Sequence, residues 1–197
     1  MQIIVIGDPH GTFNTGKLDS VNSNIDLALC TGDIMGVHPS LRKFQLENRG
    51  NISNLTNQGY KWNEALEILM GKEKLSELCK AEEKNWLNVL KIFSERLPLT
   101  LLVSGNVDGL ELLNEALRNL DNVMLLDGIA HIVNDYAFIG IGDYFNPRFS
   151  KMEIDEFERR ILEVMAENSG RKRIILSHYP PYGILDKVGN KNTGSHF

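Results

Sequence analysis

Four short apolar segments of this 197-residue chain have the length and the β-branched content of strands, and each runs into a polar or glycine-containing cluster. The segments are residues 3–6, 25–30, 99–103 and 173–176. Because they are apolar almost without interruption, we expect strands that are covered on both faces, as in the parallel sheets of α/β proteins. The first expectation is therefore a fold in which several such strand ends lie side by side.

Segments with helical periodicity separate these strands. Apolar residues, mostly leucines, recur every three or four positions in residues 62–70, 74–96, 110–117 and 154–168. Residues 122–126, 130–133 and 136–141 follow one another with only short turns, which predicts antiparallel strands in a second sheet. The predicted fold is α/β, with two packed mixed β-sheets flanked by helices.

The length fits a single domain over residues 1–197 with a buried core of its own. Residues 35–71 are more polar, with glycine, asparagine and serine scattered through them, and they contain no convincing strand. We interpret them as a loop that leads to helices and can serve as a lid. Residues 35–96 would then form a helical and loop insertion.

Composition and charge exclude several classes of protein. The formal net charge of −5 includes no basic block, so no nucleic-acid-binding surface is evident. No segment approaches the length of a membrane span, and the first apolar segment runs into Gly7-Asp8 rather than a signal-peptide cleavage site. Cys30 and Cys79 are the only cysteines and suit reduced thiols, so we expect a cytoplasmic protein without a membrane partner.

Side chains of the kinds that bind metals follow each of the four strands. They are Asp8 and His10, then Asp33, Asn106 and His178. Since the carboxyl ends of strands in an open α/β sheet meet at one crevice, residues far apart in sequence can converge there. Pro9 disfavours a helix between Asp8 and His10, so we expect an extended segment in which both side chains point to one face.

Each of these residues also has a purely structural interpretation. A Gly-Asp pair at a strand end is usually a turn, and His178 can be a buried histidine with a partner. Asn106 can cap the helix that begins after it, although Asp108 is the better candidate for that cap. These interpretations do not explain why four strands all end this way, and the coincidence favours a metal site.

The four clusters resemble the motifs of the calcineurin-like metallophosphoesterase family, in the family's order and over nearly the whole chain. The matching segments are Asp8-Pro9-His10-Gly11, Gly32-Asp33, Gly105-Asn106 and Ser177-His178. The resemblance implies an αββα sandwich with two divalent metal ions, one held by Asp8, His10 and Asp33, the other by Asp33, Asn106 and His178. Mixed carboxylate, imidazole and amide ligands suit Mn, Fe, Zn, Ni or Co.

The resemblance also implies hydrolysis of a small phosphorylated substrate by a metal-activated water, without a side-chain nucleophile. Asp33, as the bridging ligand, and Asn106 would be the catalytic residues. We assign substrate contacts to Asn106, to His38 in the loop after Asp33, and to Arg148. His131 lies at an alternate position of an apolar strand, where a structural role is expected.

Val107 departs from the family pattern. Many members have a histidine at this position, in a Gly-Asn-His segment, and that histidine is thought to protonate the leaving group. Loss of a general acid removes roughly 10² to 10⁴ in rate for poor leaving groups and far less for good ones. We therefore expect phosphodiesters, aryl esters or nucleotide-type esters as substrates, rather than alkyl monoesters.

The C-terminal end departs further from the pattern. The family pattern continues to a Gly-His-x-His segment that supplies one more histidine to each metal, and this sequence reaches Phe197 without it. We interpret the C-terminal part as truncated, unless another group replaces those ligands. His196 is the only nearby substitute, in a segment that is a loop in the family. The last strand would expose an open sheet edge, which makes a homodimer the candidate assembly.

Two other functions remain open at this stage. A catalytically inactive scaffold or binding protein of the same fold would tolerate Val107 and the missing histidines, and a regulatory sensor would bind metal without turnover. The five retained ligand residues favour an enzyme, because converging charged and imidazole groups are costly to bury in a scaffold. We therefore predict a metallophosphoesterase, with the scaffold as the alternative.

Overall fold

The computed structural model describes residues 1–19, 24–143, 150–180, 187–188 and 191–192. Its strands are β1 (Ile3–Ile6), β2 (Leu27–Cys30), β3 (Thr100–Leu102), β4 (Val123–Leu125), β5 (Ala130–Val133), β6 (Tyr136–Ile141), β7 (Lys172–Ser177), β8 (Lys187–Val188) and β9 (Lys191–Asn192). Its helices are α1 (Thr15–Asp19), α2 (Pro39–Glu47), α3 (Arg49–Asn57), α4 (Trp62–Met70), α5 (Lys72–Arg96), α6 (Leu110–Leu117) and α7 (Lys151–Glu167).

Strands β1, β2, β3 and β4 form one sheet in that order, and every pair in it is parallel. Successive side chains of β2 face opposite sides, so Leu27 and Leu29 enter one core while Ala28 and Cys30 enter another. Every residue of β2 and β3 is buried. The expectation of strands covered on both faces is confirmed for these two strands.

Strands β5, β6 and β7 form the second sheet, in which β5 and β6 are antiparallel and β7 is parallel to β6. The expectation that residues 122–126 begin the antiparallel run is wrong, because β4 pairs in parallel with β3 in the first sheet. Helix α6 lies between β3 and β4 and carries the chain back along the sheet. Strand β4 therefore enters in the same direction as β3.

The two sheets pack face to face, with helices on both outer sides. Helices α5 and α6 cover the first sheet and α7 covers the second. Removing a large buried side chain such as Phe138 from the layer between the sheets typically costs about 3 to 5 kcal/mol. This layer consists of Leu27, Leu29, Leu101, Val103, Leu126, Phe138 and Leu176. The predicted αββα arrangement of an α/β fold is confirmed.

Helices α2 to α5 lie between β2 and β3 in the chain. The expectation of a loop over residues 35–71 is wrong for α2 and α3, which are helical. Both helices are polar overall, but Leu41 and Ile52 are buried against apolar residues of α4 and α5. A few apolar anchors therefore hold this layer in spite of its polar composition. Among the described residues, no helix combines the length and the apolar character needed to cross a membrane.

Strands β1 and β7 are edge strands in the described part of the chain, and one face of each is open. Val5 is 64% exposed, although its partner Leu29 on β2 is buried between the sheets. Ile175 on β7 is 48% exposed, beside Ile139, which α7 covers. The expectation of full coverage is wrong for these two strands, because the layer packed on each sheet stops short of its edge.

Candidate metal centre

Strands β1, β2, β3 and β7 all finish at the same end of the two sheets. Strands β1, β2 and β3 are adjacent and parallel, so the residues that follow them lie side by side. Strand β7 of the second sheet ends at Ser177, and the next residue, His178, reaches the first sheet. There its Nδ1 lies 2.7 Å from the carbonyl oxygen of Thr31. The site therefore combines residues from both sheets.

Asp8, His10 and Asp33 form one group of candidate ligands. One ligand atom from each lies within 4.8 Å of the other two, and His10 Nε2 is 3.6 Å from Asp33 Oδ2. The Thr31 hydroxyl donates a hydrogen bond to Asp8 Oδ1 at 3.1 Å, which restrains that exposed carboxylate. Asp33 is buried, whereas Asp8 and His10 are exposed, so this group is reached from solvent on one side.

Asp33, Asn106 and His178 form a second group. His178 Nε2 lies 3.2 Å from Asn106 Oδ1 and 3.7 Å from Asp33 Oδ1, and the backbone N–H of Asn106 points to it at 3.3 Å. Because Nδ1–H donates to the Thr31 carbonyl oxygen, Nε2 keeps its lone pair. Three acceptor atoms thus face one another, an arrangement that a cation or a proton between them would stabilise.

Both groups fit divalent metal ions. Two ligand atoms about 2.1 Å from one ion lie roughly 3 to 4 Å apart. The separations from His10 to Asp33, and from His178 to Asn106 and Asp33, fall in that range. Asp33 belongs to both groups, with Oδ2 towards His10 and Oδ1 towards His178. The mixture of carboxylate, imidazole and amide groups suits a transition metal.

The loops that carry these side chains have an unusual backbone. In the described part of the chain, the non-glycine residues with positive φ are Asp8 (30°), His10 (46°), Asp33 (49°) and Asn134 (54°). Asn134 occupies the turn between β5 and β6, where asparagine is common. Aspartate and histidine also adopt this region more readily than most non-glycine residues, and left-handed residues concentrate at functional sites. Three of the four are candidate metal ligands.

The extended conformation expected around Pro9 is wrong. The backbone N–H groups of His10 and Gly11 donate to the carbonyl oxygens of Asp33 and Ile34, each at 2.8 Å. These bonds tie the loop after β1 to the loop after β2 and curl it tightly. His10 and Asp8 approach one another through this turn, not through the alternation of a strand.

Asp108 ties the site loops together from beneath. Its side chain is fully buried and accepts hydrogen bonds from the backbone N–H groups of Met35 and Gly105, both at 2.8 Å. Burial raises the pKa of its carboxyl above the ordinary value. The N-cap residue of α6 is Gly109, so the expectation that Asn106 or Asp108 caps this helix is wrong. From the sequence alone, an aspartate just before a helix looks the same whether it caps that helix or bonds to neighbouring loops.

The loop after β3 comes very close to Asp33. A Cβ on Gly105 would lie 2.1 Å from Asp33 Oδ1 and 2.3 Å from its backbone nitrogen, so this approach requires glycine. The backbone N–H of Val107 donates to Asp33 Oδ1 at 3.0 Å. Main-chain groups therefore fix the orientation of the carboxylate that both ligand groups share.

The remaining residues singled out from the sequence lie apart from the two ligand groups. His38 caps helix α2, where its Nδ1 accepts a hydrogen bond from the Ser40 backbone N–H at 3.2 Å, and it lines a cavity beside the centre. His131 is half-buried on β5. Arg148 and His196 lie outside the described residues.

One partly buried carboxyl near the site was not expected from the sequence. Asp127, which follows β4, accepts hydrogen bonds from the backbone N–H and the hydroxyl of Ser104, the residue before Gly105-Asn106. Desolvation by burial raises the pKa of Asp127 to about 6, against the lowering effect of these hydrogen bonds. The sequence signal was an aspartate at the end of a fourth parallel strand, which the antiparallel interpretation of residues 122–126 concealed.

Comparison with known proteins supports the fold and shows a family relationship. The sequence model of the calcineurin-like phosphoesterase family matches residues 1–196. A crystal structure with 18% sequence identity superimposes with a TM-score of 0.65, covering 98% of this chain and 76% of the other. At that identity the structural match is evidence of a shared fold. Among curated proteins, no sequence matches this chain.

We predict that Asp127→Asn makes the free energy of unfolding less dependent on pH. The raised pKa of about 6, against 3.8 when unfolded, means that the folded state binds the proton more tightly. The stability that Asp127 contributes is therefore complete below pH 3.8 and is lost as the pH rises through 6. The free energy of unfolding is measured with urea at pH 4 and at pH 7. Relative to the wild type, the variant should be more stable at pH 7 than at pH 4 by up to about 3 kcal/mol.

The exposed Asp121 provides the control for this measurement. Asp121→Asn should leave the stability difference nearly the same at the two pH values. If Asp127→Asn behaves as this control does, the Asp127 carboxyl is not held in its protonated form by burial, and our description of it is wrong.

Proposed function

Since this chain belongs to the calcineurin-like phosphoesterase family, we propose that it hydrolyses phosphodiesters and aryl or nucleotide-type phosphate esters at two metal ions. Metal-dependent hydrolysis of phosphoesters is what the family implies. The observation that most supports the finer proposal is the position of Asp33, whose two carboxylate oxygens face two different groups of ligand atoms.

We assign the metal ligands by these groups. Asp8, His10 and Asp33 would hold one ion, and Asp33, Asn106 and His178 would hold the other. When bound, such ions lower the pKa of a water to near neutrality and stabilise negative charge on the attacked phosphate. The proposed metals are Mn, Fe, Zn, Ni or Co, because these accept imidazole and carboxylate ligands together.

The protein's own groups prepare the site before a substrate arrives. The Thr31 carbonyl oxygen accepts the Nδ1–H of His178, which leaves Nε2 as an acceptor; the Asn106 backbone N–H points to it, and a metal ion would take that place. The Val107 backbone N–H fixes Asp33 Oδ1, and the loop hydrogen bonds described above fix the Asp33 backbone. Asn106 is exposed, and we propose that its amide also contacts the phosphate. His38 and Arg148 are further candidates for substrate contact.

The scaffold alternative explains these observations less well. A binding protein has no evident need for left-handed backbone at three candidate ligands, a feature that concentrates at functional sites. It also has no need for His178 Nε2 to lie within 3.2 to 3.7 Å of two ligand oxygens, one from Asn106 and one from Asp33. A metal sensor would share both features, so only turnover separates the enzyme from the sensor.

The finer expectations about location and assembly also stand as proposals. Both cysteines are free, Cys30 buried and Cys79 exposed, which fits the reducing conditions of the cytoplasm. The edge of the last long strand, β7, which is unpaired on one side in the described part of the chain, makes a homodimer the candidate assembly. The proposed substrate is a small phosphorylated molecule.

The first prediction is metal-dependent hydrolysis of bis-p-nitrophenyl phosphate. Metal-free protein should be inactive and should gain activity when Mn, Ni or Zn is added. Asp33→Asn should reduce that activity by more than about 100-fold, because it weakens both ligand groups at once. The release of p-nitrophenolate measures the rate.

The matched control is Asp121→Asn, which makes the same chemical change at an exposed position away from the site. It should retain wild-type activity with each metal. Activity that is independent of metal, or that survives in Asp33→Asn, would contradict the proposed centre. Metal binding without turnover in the wild type would favour the sensor.

The second prediction concerns the leaving group. With valine at position 107 the site lacks the usual proton donor, so the wild type should hydrolyse p-nitrophenyl phosphate much faster than a simple alkyl monoester. Val107→His should raise the rate for the alkyl monoester by at least about 10-fold while changing the aryl ester little, because only the poor leaving group needs protonation.

Val107→Gln controls for size and polarity, since glutamine cannot act as a general acid near neutral pH. It should not raise the alkyl rate. Comparable wild-type turnover of alkyl and aryl monoesters would show that valine at this position does not restrict the substrate.

A further inference from the structure

The second ligand group draws its residues from both sheets. Asn106 follows β3 of the first sheet, and His178 follows β7 of the second. The distance of 3.2 Å between Asn106 Oδ1 and His178 Nε2 therefore depends on how the two sheets are held together at this end. The first ligand group has no such dependence, because Asp8 and His10 follow β1 and Asp33 follows β2, both in the first sheet.

A set of polar and glycine residues joins the two sheets close to this group, and we call it the inter-sheet junction. It consists of Ser104 and Asp127, which follow β3 and β4 of the first sheet, and of Gly142 and Asp143, which follow β6 of the second. Asp127 lies where the chain passes from the first sheet to the second, and it forms an isolated parallel bridge with Gly140 of β6. The junction therefore connects the strand ends of one sheet to those of the other.

The Asp127 carboxylate uses both of its oxygens on Ser104. Oδ1 accepts the backbone N–H of Ser104 at 3.0 Å, and Oδ2 accepts the hydrogen of its hydroxyl group. Two hydrogen bonds from one planar group to one residue fix the orientation of that residue as well as its position. Ser104 is fully buried, so water does not compete for these bonds.

Ser104 is bonded in turn to the second sheet. The Asp143 backbone N–H donates to the Ser104 carbonyl oxygen at 3.1 Å and to its hydroxyl oxygen at 3.3 Å. Gly142 packs directly onto the pair, because a Cβ there would lie 2.4 Å from each carboxylate oxygen of Asp127 and from Ser104 Oγ. An approach this close requires glycine. Asp127 and Ser104 thus form the contact between the strand ends of β3 and β6.

Only short lengths of chain separate the junction from the second ligand group. Ser104 is two residues before Asn106. On the other side, Ile141 precedes Gly142, and its carbonyl oxygen accepts the backbone N–H of His178 at 3.1 Å. A shift of Ser104 relative to Gly142 would therefore change the separation of Asn106 and His178.

We propose that Asp127 is a positioning residue for the second ligand group: through Ser104 it sets the separation of Asn106 and His178, and so the affinity of that group for its ion. The proposal rests on the proposed function, since it assumes that the second group holds a metal ion. The first group should not respond to Asp127, because its loops are joined to each other by hydrogen bonds within the first sheet.

A merely structural role for Asp127 would make metal affinity fall only as far as stability falls. Asn122 is the matched control for such a role, because it is also partly buried and lies at the opposite end of β4. Its side chain donates to the carbonyl oxygens of Ser94 and Leu97 and accepts from the Ser94 hydroxyl. Asn122→Ala should lower the free energy of unfolding in urea as Asp127→Ala does, but should leave the binding of both ions as in the wild type.

Calorimetric titration of the metal-free full chain with Mn tests the proposal. Asp127→Ala should weaken one of the two binding events by about 10-fold or more, which is the usual effect of removing a group that orients a metal ligand. The other event should stay within about 2-fold of the wild type. Asp127→Asn keeps an acceptor for the Ser104 N–H and should have an intermediate effect. Ser104→Ala removes only the hydroxyl group and should show the same selective loss even if Asp127→Ala fails to fold.

Two further variants identify the ion that is affected. His10→Ala removes a ligand of the first group alone, and His178→Ala removes a ligand of the second group alone. When each is combined with Asp127→Ala, the binding event that survives in His10→Ala should be weakened. The event that survives in His178→Ala should be unchanged.

The outcomes separate this proposal from the function on which it rests. Two ions in the wild type, with both bound equally well by Asp127→Ala and Ser104→Ala, would overturn the positioning role alone. Equal weakening of both ions, the same selective loss in Asn122→Ala, or weakening of the event that survives in His178→Ala would overturn it as well. If the wild type binds no Mn, the proposed function fails, and the positioning role fails with it.

Discussion

The carboxylate of Asp33 is the contact on which the geometry of the site depends. One oxygen faces His10 and the other faces His178, while the backbone oxygen of the same residue accepts the N–H of His10. The end of β3 is pressed against it, through Gly105 and the N–H of Val107. The Asp33 side chain is almost wholly buried. The ends of the three adjacent parallel strands β1, β2 and β3 therefore meet around its carboxylate. A cation on either side would offset the cost of burying that charge.

Several features of the loops around the site lower the stability of the folded state. At neutral pH, the buried carboxyl of Asp108 and the raised pKa of Asp127 disfavour the folded state to some degree, as does left-handed backbone at His10. The packed layer between the two sheets offsets these costs, because it buries large apolar side chains from both sheets. Strain concentrated at one end of a well-packed sandwich is typical of a functional site rather than of a structural turn.

The sequence was sufficient for the strands, the main helices and the convergence of their ends, because apolar periodicity and strand-end clusters are local signals. It was insufficient where long-range contacts decide the outcome. The curl of the loop at His10 depends on hydrogen bonds to a loop two dozen residues away, and the role of Asp108 depends on Met35. Strand β4 was assigned to the wrong sheet because sequence distance to β5 is short, although α6 directs it to β3.

The most direct test of the shared carboxylate is a calorimetric titration of the metal-free chain with Mn or Zn, comparing wild type, Asp33→Asn and the exposed control Asp121→Asn. We expect two ions per chain for the wild type and the control, and weakened binding of both ions in Asp33→Asn, because that residue serves both ligand groups. Loss of one ion alone in Asp33→Asn, or no metal binding by the wild type, would contradict it.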